Sequence, residues 1–540
     1  MFMLKMSHPT PRLVLACALA TAIGLSHTST QAAPQVSTMS GLLQGHTADG
    51  VQQFLGIPYA APPVGSLRWK APQATAPWQG VRDATRIGAA CPQLPGNYSH
   101  TATSEDCLNL NVYVPAAPQT TPRPVIVWVH PGSLTMGSGS DFDGTSLARR
   151  ANAVVVTINY RLGVLGFLST TELQQEAAAG SYGIQDQQQA LRWVQANIRA
   201  FGGDAGRVTL AGNSAGAASN CVHLASPASA GLFHGVIMQS GPCVRMGNRT
   251  PEQARTHGDA YASLVNCPIG PGQLACLRSR SAQELVAVAG DGLDALQSTN
   301  PWSPLVDGVI LPRKLTDMIR DGEIHKVPVL IGTTAQEGRF FVSYAFHQKR
   351  GRAMSAEDYI SAAEVMTGSA FAGSTSRSLY TASQYGSHDL AMSALMTDAG
   401  FACPALTDAR RLSRHTAVYA YEFTDERAPA PADGFFELGA YHTSELQYLF
   451  GAPVFATQVN GSLDAAQRAL GDQMVNYWAA FAATGTPHHT GQAQWTKFNE
   501  WTMPIMNLAP TQVGLQPWGA FAKAHRCLTW SLLFSLSGQS

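Results

Sequence analysis

Charged side chains are scarce in this sequence. Lysine and arginine together number 35, aspartate and glutamate also number 35, and the four types make up 13% of the 540 residues. Soluble domains usually contain about 25%. A chain with zero formal net charge lacks the basic surface that nucleic acid requires, so we exclude nucleic-acid binding. Hydrophobic residues make up 45% of the chain, which excludes intrinsic disorder.

Several sequence patterns are also absent. The chain has no low-complexity linker and no internal repeat, and none of its nine cysteines belongs to a Cys-x-x-Cys motif. Without such a motif or a histidine-rich partner spacing, the cysteines do not indicate a zinc site. We therefore expect neither a metal ion nor a cofactor.

The first 32 residues have the order of a secretory signal peptide. Lys5 and Arg12 precede an apolar run over residues 13–25, and the small residues Ala32 and Ala33 follow a short polar stretch. The run is shorter than the roughly 20 residues that a membrane span needs. We predict a signal peptide over residues 1–32, a single domain over 33–540, no membrane span, and a secreted or periplasmic location.

Export changes the interpretation of the cysteines, because oxidising compartments favour disulfides. Removal of the signal peptide leaves eight of the nine cysteines. The shortest closures are Cys91–Cys107 and Cys267–Cys276. A bridged loop of about 15 residues contributes roughly 3 kcal/mol, mostly through the unfolded state. We therefore predict these two disulfides.

Apolar runs alternate with helical patterns along the chain, which is typical of an α/β fold with a parallel sheet and right-handed crossovers. Continuous apolar runs predict strands that are buried on both faces. These runs occupy residues 125–129, 153–158, 208–211, 236–238 and 327–331. A helical spacing covers residues 185–198. The segments 245–325 and 340–415 look helical and amphipathic, and we expect them to cap the site as insertions.

One motif carries the chemistry. Gly212-Asn213-Ser214-Ala215-Gly216 follows a predicted strand directly and opens a helical stretch at 217–224. This is the G-x-S-x-G nucleophile elbow, in which a serine occupies a sharp turn between a strand and a helix. Small flanking residues are required by the turn, and the helix start directs N–H groups toward developing negative charge. Ser214 is therefore the predicted nucleophile.

A serine hydroxyl needs a base and an orienting acid, and in this kind of fold both come later in the chain. Glu337 lies a few residues beyond the strand predicted at 327–331, where the acid is expected. His442 lies in a glycine-containing loop that leads into an apolar, helix-like stretch. Spacing alone leaves His442 open to a second interpretation, as an ordinary solvated loop histidine.

Several long motifs resemble those of the type-B carboxylesterase/cholinesterase family. They are Phe-Leu-Gly-Ile-Pro-Tyr-Ala at 54–60, Pro-Pro-Val-Gly at 62–65, Leu-Arg-Trp at 67–69, Glu-Asp-Cys-Leu-Asn-Leu-Asn at 105–111, Asn-Tyr-Arg-Leu-Gly at 159–163 and Phe-Gly-Gly-Asp at 201–204. The resemblance extends from about residue 40 to about residue 530. It implies an α/β-hydrolase fold, with a large, mostly parallel central sheet flanked by helices. It also implies a serine carboxylester hydrolase that works through an acyl-enzyme.

The resemblance assigns roles to particular residues. It implies a triad of Ser214, Glu337 and His442. It implies two structural ion pairs, Arg68–Glu105 and Arg161–Asp186. It supports the two short disulfides and, more loosely, Cys403–Cys527. For Cys221 and Cys243, a disulfide and two buried thiols both remain open.

Two departures from the family pattern affect the site. The oxyanion loop of the family usually reads His-Gly-Gly-Gly-Phe, whereas this chain has His-Pro-Gly-Ser-Leu at 130–134. The family's donors correspond to the N–H groups of Gly132 and Ser133, with Ala215 as the third, so the proline removes none of them. The second departure is Asn213, where the family has glutamate. The substitution removes a negative charge beside the nucleophile.

Two arginines bear on the substrate. Arg245 lies in the stretch that lines the acyl pocket in the family, and Arg339 occupies a position that is usually small or hydroxylic. Together with Asn213 they make the pocket more positive, which favours an acyl group with free carboxylates, as in the bacterial fumonisin esterases that release tricarballylate. In one alternative the arginines have structural roles, and the protein is an esterase or lipase for neutral acyl esters. In another, the protein is a non-catalytic cholinesterase-like binding module. The expected partner is a small-molecule ester; the sequence does not indicate an oligomeric state.

Overall fold

A mixed β-sheet of eleven strands forms the centre of the protein. The structure is a computed structural model that describes residues 33–95, 102–176, 180–290, 301–452 and 459–536. The predicted signal peptide lies outside these residues. The segment Pro34–Ser540 forms one compact unit.

The strands of the described residues belong to three sheets. In chain order they are β1 (Gln35–Thr38), β2 (Gly41–Gln44), β3 (His46–Ala48), β4 (Val51–Pro58), β5 (Val81–Asp83), β6 (Asn109–Pro115), β7 (Arg123–Val129), β8 (Val154–Ile158), β9 (Gly203–Asn213), β10 (Gly235–Gln239), β11 (Val329–Thr334), β12 (Val418–Phe423), β13 (Ala430–Pro431), β14 (Val459–Asn460), β15 (Ile505–Ala509) and β16 (Gln512–Leu515). The main sheet has the order β16-β15-β12-β11-β10-β9-β7-β8-β6-β4-β3. Two small sheets, β1-β2-β5 and β13-β14, lie outside it.

The centre of the main sheet is parallel and its edges are antiparallel. All neighbouring pairs from β8 across to β15 run parallel, whereas β3, β4, β6 and β16 pair antiparallel. Every residue of β7, β8, β10 and β11 is buried, because helices cover both faces. The five predicted strands are confirmed at their centres. β9 begins five residues earlier than the apolar run indicated.

Helices cover the two faces of the sheet. In the described residues they are α1 (Thr145–Ala151), α2 (Gly163–Phe167), α3 (Thr171–Glu176), α4 (Tyr182–Asn197), α5 (Ala215–Ala225), α6 (Pro251–Leu264), α7 (Gln273–Ser279), α8 (Ala282–Ala289), α9 (Leu315–Asp321), α10 (Glu337–Val342), α11 (Ala356–Thr367), α12 (Ala370–Leu379), α13 (Ala382–Tyr385), α14 (His388–Met396), α15 (Cys403–Ser413), α16 (Leu446–Phe450), α17 (Ala465–Thr484), α18 (Ala520–Ala524) and α19 (Cys527–Leu536). Helices α6–α9 and α10–α15 fill the two segments predicted as helical insertions.

Two π-helical segments interrupt the second insertion. They are Ser343–Gln348, which continues α10, and Thr397–Ala402, which joins α14 to α15. The sequence analysis did not predict them. The helical run His388–Ser413 is long and apolar enough to cross a membrane by length and composition, but 78% of its most apolar window is buried inside the protein. Such burial is typical of a core helix.

Four disulfides are present in the described residues. They join Cys91 to Cys107, Cys221 to Cys243, Cys267 to Cys276, and Cys403 to Cys527. The structure therefore contains the two short pairs and the pair suggested by the resemblance. It also pairs the two cysteines that the sequence left open. Both expected ion pairs are present, with shortest contacts of 2.6 Å in Arg68–Glu105 and 2.7 Å in Arg161–Asp186.

Candidate active site

Ser214 occupies a tight turn between β9 and α5. Its backbone has φ 54° and ψ −121°, a conformation that L-residues rarely adopt, and its N–H donates to the Gln239 carbonyl at 2.7 Å. The turn leaves no space for neighbouring side chains. A Cβ atom on Gly216 would lie 2.0 Å from the Val129 carbonyl oxygen, and one on Gly241 would lie 2.2 Å from the Ser214 carbonyl oxygen. These close approaches explain why the elbow needs glycine.

Glu337 follows β11, two strands away from β9, and begins α10. Its Oε1 atom accepts hydrogen bonds from Thr333 Oγ1 at 2.6 Å and from the Thr334 N–H at 2.8 Å, while Oε2 lies 2.6 Å from His442 Nδ1. Burial alone would raise the pKa of Glu337, but His442 and these hydrogen bonds lower it overall. The Glu337 side chain is therefore held as a carboxylate that faces one nitrogen of His442.

His442 lies in the loop between β13 and α16 and is only 2% exposed. Its ring packs against the rings of Phe341, Phe401 and Phe340, with centroid distances of 4.8, 5.1 and 6.0 Å. Its Nε2 atom has no carboxylate partner among the described residues. The imidazole is thus fixed at Nδ1, enclosed by aromatic rings, and able to exchange a proton at Nε2.

The predicted oxyanion loop follows β7, the strand next to β9. Gly132 and Ser133 have φ angles of 117° and 53°. The Gly132 carbonyl accepts the N–H groups of Thr135 at 2.9 Å and Met136 at 3.0 Å, which closes the turn. Ala215 is the first residue of the eleven-residue helix α5. The loop and the helix start therefore follow adjacent strands, on either side of the Ser214 turn.

Asn213, the residue before the candidate nucleophile, is buried and bonded to a second acid. Its Nδ2 atom donates to Glu445 Oε1 at 3.0 Å, and Gln239 Nε2 donates to the same oxygen at 3.0 Å. Burial and the nearby Glu337 raise the pKa of Glu445 to about 8. Glu445 is therefore mostly protonated at neutral pH. The sequence analysis missed this residue, whose only signal was a carboxylate three positions after His442.

Of the two predicted substrate arginines, the structure describes the side chain of Arg339 but not that of Arg245. Arg339 is half-buried in α10, and its Nη1 atom donates to the Glu437 carbonyl at 2.8 Å. Burial lowers its pKa, against the opposing effect of Glu426 and Glu437. Arg245 ends the short helical turn Cys243–Arg245 that follows β10, and its side chain lies outside the described structure. Arg339 thus has a protein partner in the loop that leads toward His442.

The side chains at this sheet edge, a serine, a histidine and a glutamate, are of the types used in nucleophilic catalysis. No group of three or more His, Cys, Asp or Glu side chains suited to a metal ion occurs in the described part of the chain. A buried histidine that is oriented by a carboxylate, near a strained serine turn, is the arrangement that activates a serine hydroxyl.

Comparison with known proteins agrees with this chemistry. The family model described as "Carboxylesterase family" matches residues 32–530. The chain is 34% identical to the "Cocaine esterase" of Oryctolagus cuniculus over 535 residues, which cover 93% of this chain and 96% of the relative. It is 36% identical to the "Para-nitrobenzyl esterase" of Bacillus subtilis (strain 168) over 485 residues, covering 88% and 94%.

A solved structure shows the same fold. The structure titled "PNB esterase" superposes with a TM-score of 0.77 at 33% identity and covers 92% of this chain and 99% of its own. Family, fold and sequence thus agree over nearly the whole chain. The protein belongs to the carboxylesterase family and is a carboxylic ester hydrolase with the α/β-hydrolase fold.

Proposed function

We propose that this protein is an exported serine esterase that works through an acyl-enzyme, with Ser214, His442 and Glu337 as its catalytic triad. The observation that carries the proposal is the 2.6 Å contact between buried His442 and buried Glu337 at the sheet edge where the Ser214 turn lies. A carboxylate on Nδ1 keeps the proton there and leaves Nε2 as the base. The esterases named among the relatives support ester hydrolysis as the reaction class.

The reaction proceeds in two halves. Ser214 Oγ attacks the ester carbonyl while His442 Nε2 takes the serine proton, and Glu337 stabilises the resulting imidazolium. The N–H groups of Gly132, Ser133 and Ala215 hold the oxyanion, and the α5 N-terminus adds a favourable dipole. His442 then gives the proton to the leaving alcohol. In the second half, His442 takes a proton from water, which attacks the acyl-enzyme; the bond to Ser214 Oγ breaks, His442 returns the proton to Ser214, and the acid leaves.

Export is supported by the cysteines and by the N-terminal pattern. Four disulfides occur in the described residues, and such a number is typical of proteins from oxidising compartments. Residues 1–32 have the charged, apolar and small-residue order of a signal peptide, which would direct the protein to export. Edman sequencing of the protein recovered from the culture medium or periplasm tests this, because the mature chain is expected to begin near residue 33.

As substrate class we propose esters whose acyl group carries free carboxylates. Asn213 is neutral and Glu445 is held mostly neutral by burial, so neither adds negative charge beside the Ser214 turn. Arg339 lies two residues after Glu337, with Glu426 and Glu437 as its nearby acids. The alternative is a simple neutral ester, such as the para-nitrobenzyl esters in the name of one relative. The Arg339–Glu437 hydrogen bond favours this alternative, because it gives the arginine a structural role.

A fluorophosphonate probe tests the triad and the reaction class together. We expect stoichiometric labelling, with the adduct on the peptide that contains Ser214, and parallel loss of activity toward a para-nitrobenzyl ester. Ser214→Ala should not be labelled, whereas the substitution of the buried elbow neighbour Ser219→Ala should still be labelled. A labelled serine other than Ser214 would overturn the assignment. Complete absence of labelling in the folded wild type would favour a binding module.

A further inference from the structure

A buried histidine outside the candidate active site, His525, is bonded to carboxylates through both ring nitrogens. Its Nδ1 atom lies 2.7 Å from Asp398 Oδ1, and its Nε2 atom lies 2.7 Å from Glu422 Oε1. Each nitrogen that faces a carboxylate must carry a proton, so two such bonds require the imidazolium form. Burial alone lowers the pKa of His525, but both bonds more than compensate and raise it to about 10. His525, Asp398 and Glu422 therefore form an ion triad at neutral pH.

The remaining carboxylate oxygens of this ion triad are also bonded. Tyr380 donates its hydroxyl proton to Asp398 Oδ2 at 2.6 Å, and Trp530 Nε1 donates to the Tyr380 oxygen at 2.8 Å. Gln516 Nε2 donates to Glu422 Oε2 at 2.5 Å. A buried polar network with all its members bonded is rigid and fixes the relative positions of its elements. Here it fixes Asp398 between the sheet and the C-terminal segment.

Asp398 lies in the π-helical segment Thr397–Ala402, which contacts His442 and the residue after Glu337. The Gly338 N–H, directly after Glu337, donates to Thr397 Oγ1 at 3.0 Å. The Phe401 ring packs 5.1 Å from the His442 ring. Turns of π-helix are rare and occur frequently at functional sites. One short segment thus contributes Asp398 to the ion triad and contacts both His442 and the residue that follows Glu337.

The disulfide Cys403–Cys527 connects the same two parts of the chain. Cys403 directly follows the π-helical segment, and Cys527 comes two residues after His525. The C-terminal segment is therefore tied to the π-helical segment twice, by a covalent bond and by the ion triad. Neither tie involves Ser214, Glu337 or His442.

We propose that the His525–Asp398–Glu422 ion triad positions the catalytic base: it holds the π-helical segment so that Thr397 and Phe401 fix Glu337 and His442 in the reactive geometry. This inference rests on the proposed function of His442 and Glu337. Small displacements of a general base are costly, since a 1 Å misplacement caused far from the chemistry can reduce the rate by about a hundredfold. His525 and Asp398 are positioning residues, and they take no proton in the reaction.

The test compares three variants of the ion triad with a distant control. Asp398→Asn and His525→Gln remove one charge each, and His525→Arg keeps the cation and can still donate to both carboxylates. Glu105→Gln breaks the partly buried Arg68–Glu105 ion pair, which lies outside the candidate site and controls for lost stability. The kcat and KM values for a neutral aryl ester are measured at a temperature where circular dichroism shows each variant to be folded.

We expect Asp398→Asn and His525→Gln to lower kcat by about tenfold or more while KM changes by less than about twofold. His525→Arg should restore kcat to within about threefold of wild type. Glu105→Gln should lower the melting temperature and leave kcat unchanged. Wild-type kcat in folded Asp398→Asn and His525→Gln would overturn the proposal and leave the ion triad as a purely structural element.

If His525→Gln does not fold, Phe401→Leu provides the test of the proposal. This variant removes the ring contact with His442 and leaves the ion triad intact. In combination with Asp398→Asn, it should lower kcat no further than the more impaired single variant, since both act through the same segment. Additive losses would overturn the proposal. Fluorophosphonate labelling of wild-type Ser214 tests the triad independently, so a failure of the proposed function is recognised separately.

Discussion

His442 and His525 are both buried histidines bonded to carboxylates, but they differ in how many carboxylates they bind. His442 has one, Glu337, on Nδ1, and aromatic rings surround the rest of the imidazole. His525 has Asp398 on one nitrogen and Glu422 on the other. One carboxylate orients a histidine and leaves a nitrogen for proton transfer, whereas two carboxylates hold both protons. The same residue types thus produce the proposed general base in one place and a fixed cation in the other.

Removal of the His442 imidazole, which can exchange a proton, is expected to have the largest effect on activity. We expect His442→Ala to lower turnover of a simple aryl ester by about 10³-fold or more, because Ser214 loses its base. Ser214→Ala should have a similar effect, and the double variant should be no worse, since the residues act as a unit. Steady-state kinetics on folded protein measure this. Retention of about a tenth of the activity by either variant would contradict the assignment.

The pH dependence of stability tests whether His525 is a fixed cation. Its pKa is raised to about 10 when folded, against about 6.5 when unfolded. Its ion pairs therefore stabilise the protein fully below about pH 6.5, and this contribution is lost as the pH rises toward 10. Relative to His525→Arg, which stays charged, the free energy of unfolding of the wild type should fall by roughly 2–4 kcal/mol between pH 7 and 10. Urea titrations at several pH values measure this difference; parallel curves would contradict it.

Glu445 provides the opposite case, a buried acid with hydrogen-bond donors but no cation. Its pKa is raised to about 8 when folded, while an unfolded glutamate ionises near pH 4.3. The unfolded state therefore binds fewer protons over this range, and the stability of the wild type falls as the pH rises through it.

We expect Glu445→Gln to remove this dependence. The free energy of unfolding of the wild type, relative to this variant, should fall by roughly 2–4 kcal/mol between pH 5 and 8. Chemical denaturation at pH 5, 6.5 and 8 measures the change. A constant difference between the two proteins would mean that Glu445 is ionised in the folded state.

The two histidines also show what the sequence could predict. The Ser214 turn is local, since its strand, small residues and helix start lie within a dozen positions, and the motif alone predicts it. His442 and Glu337 are separated by 105 positions, and no periodicity connects them. Glu337 was expected from its place after a predicted strand, whereas the assignment of His442 depended on the resemblance to a family. Five central strands were predictable for the same local reason as the turn, because full burial makes them continuously apolar. The buried strand β12 was missed, since Glu422 interrupts its apolar run.

The ion triad, the π-helical segments and the second acid were not predicted. His525 and Asp398 are 127 positions apart, and Asn213 and Glu445 are 232 apart. Such pairs form only when the sheet order brings distant loops together, and an isolated Asp or His carries no sign of its partner. A π-turn depends on packing against neighbouring elements and leaves the 3.6-residue pattern nearly unchanged. The edge strands β3 and β16 were missed because only part of each is buried, whereas buried β6 was missed because Asn109 and Asn111 interrupt its apolar pattern.

The last prediction concerns the preference for the acyl group of the substrate, which we expect Arg339 to influence. Its Nη1 atom is bonded to the Glu437 carbonyl, and the charges that act on it are those of Glu426 and Glu437. If the remaining guanidinium donors bind a substrate carboxylate, Arg339→Ala should lower kcat/KM for a polycarboxylate ester by about tenfold or more. The loss for an acetate or butyrate ester should be below about twofold. Arg192→Ala is the matched control, because Arg192 also donates to a backbone carbonyl, that of Ala228, and lies on the exposed side of α4. Equal losses of Arg339→Ala on both ester classes would show that the arginine only supports the 426–439 loop, and the substrate would then be a neutral ester.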